Sequence, residues 1–142
     1  MKLFKTLFFA SLVIALMPIA VGAETNIEYA ESVYQVSYQV LAPSNALGEP
    51  DSSYADFLDR DESVTLEFDN EVESDLTIHM YLLNYGAAAR VDFYSESMEL
   101  LDTSSIIFSI GETEVVFPYD GQGLYRYAKI TSIEDEVWQL DA

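Results

Sequence analysis

The chain has 142 residues, with 25 Asp and Glu against 6 Lys and Arg, one His and no Cys. So acidic a chain excludes nucleic acid and anionic membrane surfaces as natural partners, because both attract basic side chains. The cysteine and histidine counts exclude a disulfide framework and disfavour a zinc site. The abundance of Tyr, Val, Ile, Leu and Phe predicts a folded chain rather than a disordered one.

The N-terminal segment has the pattern of a secretory signal peptide. Residues 1–5 are a short basic start, residues 7–21 are an apolar run, and Val-Gly-Ala at 21–23 supplies the small residues of a cleavage site. The run is short for a membrane span, which needs about 20 apolar residues. An uncleaved anchor is the alternative. We expect a signal peptide over residues 1–23 and one secreted domain over 24–142, extracellular or periplasmic, without membrane insertion once the signal is removed.

Alternation of apolar and polar residues predicts short, half-buried strands along the rest of the chain. These runs cover residues 33–40, 64–68, 76–82, 89–93, 106–110, 114–117, 126–130 and 136–140. In the run 76–82, the apolar residues share one face, so His79 is expected to point outward. Residues 42–60 are predicted to be a long irregular connection with one short helical turn at 54–58.

Turn residues separate the predicted strands. Asn84-Tyr85-Gly86 and Ile110-Gly111-Glu112 are typical of strand connections, and residues 118–123 form a loop rich in Pro, Asp and Gly. Short strands without a long helix predict an all-β fold, a two-layer antiparallel β-sandwich. An up-and-down barrel is the alternative. Trp138 is expected to be a core anchor between the sheets.

The candidate ligand-binding residues are aromatic. Sugar rings stack on aromatic faces, and four aromatic residues are expected at strand ends or in loops: Tyr54, Phe57, Tyr85 and Tyr119. The single His79 has no nucleophile motif around it, so the sequence predicts no enzyme. The many carboxylates keep a carboxylate-based hydrolase as a minor alternative.

The loop from Asn45 to Asp51 is a candidate calcium site. It offers carboxylates, an Asn side chain and backbone carbonyls where the chain turns sharply, and calcium prefers such oxygen ligands. The spacing of an EF-hand is absent from the sequence. An ordinary solvated acidic loop is the alternative interpretation.

Four segments resemble, in the right order, the motifs of discoidin-like, galactose-binding-fold domains. Residues 42–51 read Ala-Pro-Ser-Asn-Ala-Leu-Gly-Glu-Pro-Asp, and residues 64–68 read Val-Thr-Leu-Glu-Phe. Arg-Tyr-Ala-Lys-Ile at 126–130 and Val-Trp-Gln-Leu-Asp-Ala at 137–142 are similar to the later strands of that family. The resemblance implies a jelly-roll sandwich that binds glycans or other extracellular polymers rather than a catalyst.

The resemblance also implies a calcium ion between the loop after the first strand and the end of the chain. Carried onto this sequence, the candidate metal ligands are Asn45, Asp51 and Asp141. The chain departs from the family pattern at Ser52, where the family has Gly, and at 95–99, where Ser-Glu-Ser-Met-Glu replaces a Ser-x-Asp-Gly turn. We therefore expect a secreted, non-catalytic binding module for a glycan or extracellular polymer, possessing a structural calcium ion. A structural or adhesive protein that binds a surface protein or itself is the alternative.

Overall fold

The computed structural model describes residues 27–37, 39–82 and 86–141. Within them lie the strands β1 (Ala30–Val36), β2 (Ala55–Phe57), β3 (Ser63–Val72), β4 (Leu76–Leu82), β5 (Ala88–Tyr94), β6 (Leu100–Ile107), β7 (Glu114–Phe117), β8 (Tyr125–Ser132) and β9 (Trp138–Asp141). They form a five-stranded sheet in the order β1-β3-β8-β5-β6 and a four-stranded sheet in the order β2-β9-β4-β7. The strand pairs are antiparallel. The predicted all-β two-layer sandwich is confirmed.

The connection between β1 and β3 differs from its prediction. A helical turn was expected at 54–58, but β2 occupies this segment and pairs with β9. Ala55 and Phe57 are both fully buried while Asp56 between them is not, which is the period of a strand rather than a helix. The helical turn of this connection is instead a 3-10 helix, Pro43–Ala46.

The strand expected at 106–110 overlaps only the end of a longer and earlier strand, β6. β6 begins at Leu100 and ends at Ile107, and the chain turns at 110–111, where Gly111 has a φ of 84°. β6 is an edge strand and is largely exposed to solvent, so its middle residues are polar. The sequence of this strand therefore shows little of the apolar alternation by which strands are predicted.

Trp138 is a core anchor, as predicted. It is fully buried, and the ring of Phe57 stacks on it with centroids 4.4 Å apart and an interplanar angle of 8°. The ring of Phe108 meets it edge-on at 5.1 Å. Its Nε1–H donates to Ser132 Oγ (3.1 Å), which satisfies the one polar atom of the buried indole.

A second aromatic cluster fills the opposite end of the sandwich. Tyr125 contacts Phe68, Phe93 and Tyr119, with ring centroids 5.8, 4.8 and 4.8 Å apart. Its hydroxyl donates to the carbonyl oxygen of Ser74 (3.0 Å). Burial raises the pKa of the Tyr125 hydroxyl, and the Asp75 carboxylate raises it further, so the group stays a neutral donor.

Both departures from the family pattern keep a glycine-like backbone. Ser52 has a φ of 68° and Met98 has a φ of 64°, which is the left-handed region that favours glycine. Both residues therefore adopt a backbone conformation that glycine adopts most easily. Each position costs on the order of 1 kcal/mol relative to a relaxed backbone.

Candidate functional site

The outer face of the four-stranded sheet carries the candidate site. Along β4, buried residues alternate with Thr77, His79 and Tyr81, which point outward. His79 Nε2 lies 3.8 Å from Oε2 of Glu114, its cross-strand partner on β7. The outward position predicted for His79 is confirmed, and its ring is a cross-strand neighbour of a carboxylate.

A pair of tyrosines forms the centre of this face. The rings of Tyr54 and Tyr81 lie 6.2 Å apart at 43°, and Tyr81 is 50% exposed. Together with Ser52, His79 and Asp141 they line a hollow of about 150 Å³, which we call the tyrosine hollow. Exposed aromatic faces beside hydrogen-bonding groups suit a ligand that has both apolar and hydroxylated surfaces.

The loop that carries Tyr54 is anchored by the end of β9. The backbone N–H groups of Asp51 and Ser52 donate to Asp141 Oδ2, at 3.0 and 2.8 Å. Asn45 Nδ2 donates to the carbonyl oxygen of Tyr54 (3.0 Å). Residues far apart in sequence thus fix the position of one half of the tyrosine pair.

The three predicted metal ligands lie in this region, and two of them make hydrogen bonds within the loop. Asp51 Oδ1 accepts from the backbone N–H of Ser53 (2.8 Å), and Asn45 is bonded to Tyr54. No group of three His, Asp or Glu side chains is arranged for a metal ion within residues 27–37, 39–82 and 86–141. One observation favours a further ligand: Asp141 is only 2% exposed, and its Oδ1 has no hydrogen-bond partner in the described structure.

A larger cavity adjoins the tyrosine hollow, and the two share Pro50 and His79. It has a volume of about 570 Å³. Its floor is apolar and includes Leu66, Phe68, Leu76 and Tyr125, whereas its rim carries Glu28, Glu71, Glu73, Asp75 and Glu114. We call it the acidic cleft.

Two of the four predicted ligand-binding aromatic residues are core residues instead. Phe57 is fully buried against Trp138, so its ring lies in the core and not on the ligand-accessible surface. Tyr119 is 9% exposed, its ring packs on Phe93, and its hydroxyl donates to the carbonyl oxygen of Gly123 (2.6 Å). Burial raises the pKa of Tyr119, and Asp102 adds to the shift. The loop thus folds the side chain of Tyr119 inward, away from the tyrosine hollow.

Of the remaining two, Tyr54 lies in the tyrosine hollow and Tyr85 lies outside the described residues. The sequence reasoning missed Tyr81, which is the exposed member of the pair. A signal for it existed, since the alternation that buries Ile78 and Met80 places Tyr81 on the same outward face as His79. Tyr81 lies within β4, whereas the predicted ligand-binding aromatic residues are those of loops and strand ends.

Comparison with known proteins finds the fold in solved carbohydrate-binding structures. The lectin domain of lectinolysin complexed with Lewis B antigen has a TM-score of 0.55 at 13% identity, covering 78% of this chain and 86% of that chain. A fucose-binding module of Streptococcus pneumoniae has a TM-score of 0.55 at 13% identity, covering 83% and 93%. A low-affinity xylan-binding module, CBM86, of Roseburia intestinalis has a TM-score of 0.51 at 12% identity, covering 81% and 91%.

These likenesses establish the fold. The chain has the discoidin-like, galactose-binding jelly-roll fold that its sequence motifs predicted. No family model matches the sequence, and no curated protein matches it. Among the described residues, no helix is long and apolar enough to cross a membrane.

Proposed function

We propose that this chain is a secreted, non-catalytic glycan-binding module whose site is the tyrosine hollow. The observation that carries the proposal is the exposed Tyr54–Tyr81 pair on the outer face of the four-stranded sheet. The fold supports it, because the similar solved structures are a lectin domain, a fucose-binding module and a xylan-binding module. The shared fold alone does not assign a ligand, so the site carries the argument.

The hollow has the two kinds of surface that sugar recognition needs. The Tyr81 ring presents an apolar face on which the C–H face of a pyranose can stack, and Tyr54 flanks it at an angle. His79 and the edge of the Ser52 loop supply polar groups for sugar hydroxyls. Because Asp141 and Asn45 hold the loop in place, the site is formed before the ligand arrives, which lowers the entropic cost of binding.

A screen for ligands tests the proposal. We expect the protein recovered after export to bind a subset of a glycan array, or to sediment with an insoluble polysaccharide, in the presence or absence of calcium. Incubation with the bound polysaccharide should release no reducing ends, because a binding module does not hydrolyse its ligand. A negative array together with negative pull-downs on every polysaccharide would reject the glycan-binding function.

Calcium is the second part of the proposal, and Asp141 is its centre. The unpartnered, buried Oδ1 of Asp141 supports a bound cation. The hydrogen bonds of Asn45 and Asp51 use Nδ2 and Oδ1, so Asn45 Oδ1 and Asp51 Oδ2 are the atoms that could join it. The ion would tie the Ser52 loop to the end of β9.

A metal that binds only the folded state raises the melting temperature by mass action. We expect millimolar calcium to raise the midpoint by several degrees over EDTA, magnesium to have little effect, and Asp141→Asn to remove the calcium response. An unchanged midpoint in calcium would show that Asp141 acts only as an acceptor for the loop N–H groups.

A further inference from the structure

The free edge of β6 differs from the other sheet edges of the described residues, which are β1, β2 and β7. β2 has three residues, and Leu41 hydrogen-bonds to Asp56 along its outer side. β7 has four residues, and the pairing of β1 with β3 contains two register shifts. Short strands, covering segments and bulges protect an edge from pairing with another chain. β6 has eight residues and pairs regularly with β5 from Asp102 onward, so it is the least protected of these edges.

The side chains of β6 also lack the usual protection of an edge. Its sequence, Leu-Leu-Asp-Thr-Ser-Ser-Ile-Ile, contains neither Pro nor Lys. Its one charged residue, Asp102, is engaged locally, since its two carboxylate oxygens accept from the backbone N–H groups of Thr103 (2.9 Å) and Asp120 (2.7 Å). The end residues Leu100 and Ile107 are 55% and 75% exposed. An exposed edge with apolar side chains at both ends is suited to strand pairing between chains.

The residues of β6 that face the outer side of the five-stranded sheet form a symmetrical series. Thr103 lies on this side, because its Oγ1 donates to Asp92 of β5 (2.9 Å), and Ser105 and Ile107 follow it at the strand period. A register shift in the pairing with β5 brings Leu100 to the same side. The outer side of the strand therefore presents Leu, Thr, Ser and Ile in equal steps.

Two antiparallel β6 strands match this series with itself. When a two-fold axis passes through Ser104, Leu100 of each copy lies opposite Ile107 of the other, and Thr103 lies opposite Ser105. The outer sides of both sheets then coincide, with apolar pairs at the two ends and hydroxyl pairs in the middle. Both kinds of cross-strand pair are stabilising. Such a self-complementary patch is what a two-fold interface requires.

The backbone of β6 suits the same register. The N–H of Phe108 donates to the carbonyl oxygen of Ala87, on the side of β5 (2.9 Å). Because N–H groups alternate in direction along a strand, those of Thr103 and Ser105 point away from β5. In the two-fold pair these two residues exchange hydrogen bonds with their counterparts, and the N–H of Thr103 leaves the neighbouring Asp102 carboxylate to do so.

We propose that two copies of this chain join at β6, so that their five-stranded sheets become one ten-stranded sheet. A single strand pair buries less surface than the about 1,600 Å² of a standard interface, so the dimer is weak and forms as concentration rises. The chain has 25 acidic residues against 6 basic ones, and repulsion between the copies opposes association at low salt. Association should therefore strengthen as salt screens the charges.

The two-fold axis is perpendicular to the joined sheet, so both four-stranded sheets lie on the same side of it. The tyrosine hollows, which lie on the outer faces of those sheets, then face in the same direction. Resting on the proposed glycan-binding function, the dimer presents two sugar sites to one polysaccharide surface and gains affinity by avidity.

Sedimentation velocity of the exported protein over a range of concentrations tests the dimer without any ligand. We expect the mass to rise from that of a monomer to that of a dimer. Ile107→Lys places a charge against an apolar partner and should raise the dissociation constant at least about tenfold. Val36→Lys is the matched control, because Val36 is an exposed aliphatic residue of β1, at the opposite edge of the same sheet. Thermal melts confirm that both variants are folded.

Cross-linking tests the register. The chain has no Cys, so Ser104→Cys introduces a single thiol at the proposed axis. Opposed residues in a non-hydrogen-bonded antiparallel pair have Cα atoms about 4.5 Å apart, within the roughly 4.4–6.8 Å that a disulfide spans. With oxidised glutathione as oxidant, we expect Ser104→Cys to form a covalent dimer. Val36→Cys should remain a monomer, although Val36 is the more exposed of the two residues.

The opposite results overturn the proposal. A monomer at every concentration up to the solubility limit would show that β6 does not pair with a second copy. A dimer that Val36→Lys removes and Ile107→Lys leaves intact would place the interface at the other edge, and no cross-link in Ser104→Cys would reject the register. Since neither measurement uses a glycan, failure of the dimer and failure of the glycan-binding function are observed separately.

Discussion

At the residue scale, aromatic side chains that are close in sequence divide into core residues and surface residues. Phe57 and Tyr54 are three positions apart, yet Phe57 stacks on Trp138 inside the sandwich and Tyr54 lies in the tyrosine hollow. Composition alone could not separate them, because a Tyr or Phe near a turn fits either role. Phe57 is assigned to the core only once the pairing of β2 with β9 is known, because that pairing places it opposite Trp138.

Paired substitutions at these two aromatic residues test this division. Phe57→Ala should lower the free energy of unfolding by about 3–5 kcal/mol, because it leaves a cavity against a buried indole. Tyr54→Ala should lower it by less than about 1.5 kcal/mol, since the lost contact with Tyr81 lies at the surface. Urea unfolding followed by Trp138 fluorescence measures both. Equal losses for the two variants would contradict the assignment of Phe57 to the core.

At the scale of elements, the local alternation of apolar and polar residues predicts which face of a strand packs in the core. The period of β4 placed Ile78 inward and His79 outward, and both positions are confirmed. The same local signal missed β2, whose three residues are too few to show a period, and most of edge strand β6, whose polar residues face solvent. The sequence did not predict the site, because the contact between Tyr54 and Tyr81 depends on how the loop is anchored to the end of β9.

The register of β4 has a direct mutational test. Ile78→Asp places an unpaired carboxylate in the fully buried core and should prevent folding or lower stability by more than about 4 kcal/mol. Thr77→Asp, one position along, faces solvent and should change stability by less than about 1 kcal/mol. Thermal melts of the two variants provide the comparison. Similar melting temperatures would mean that the strand is shifted by one residue.

At the scale of the whole molecule, the two sheets carry different electrostatic surfaces. The five-stranded sheet holds Arg90, Arg126 and Lys129, the four-stranded sheet holds the tyrosine hollow, and both sheets line the acidic cleft. The excess of acidic residues could be read from the composition, but its concentration beside one cavity depends on the fold. The sandwich therefore places several of the chain's carboxylates around one cavity.

The measurement that tests the central claim most directly is the affinity of Tyr81→Ala for the glycan that binds the unmodified protein best. Tyr34→Ala is the matched control, because Tyr34 is also 50% exposed but belongs to β1 of the other sheet. We predict that Tyr81→Ala weakens binding about tenfold, the value of one stacking contact, and that Tyr34→Ala leaves it unchanged. Unchanged affinity in Tyr81→Ala would contradict the assignment of the tyrosine hollow as the binding site.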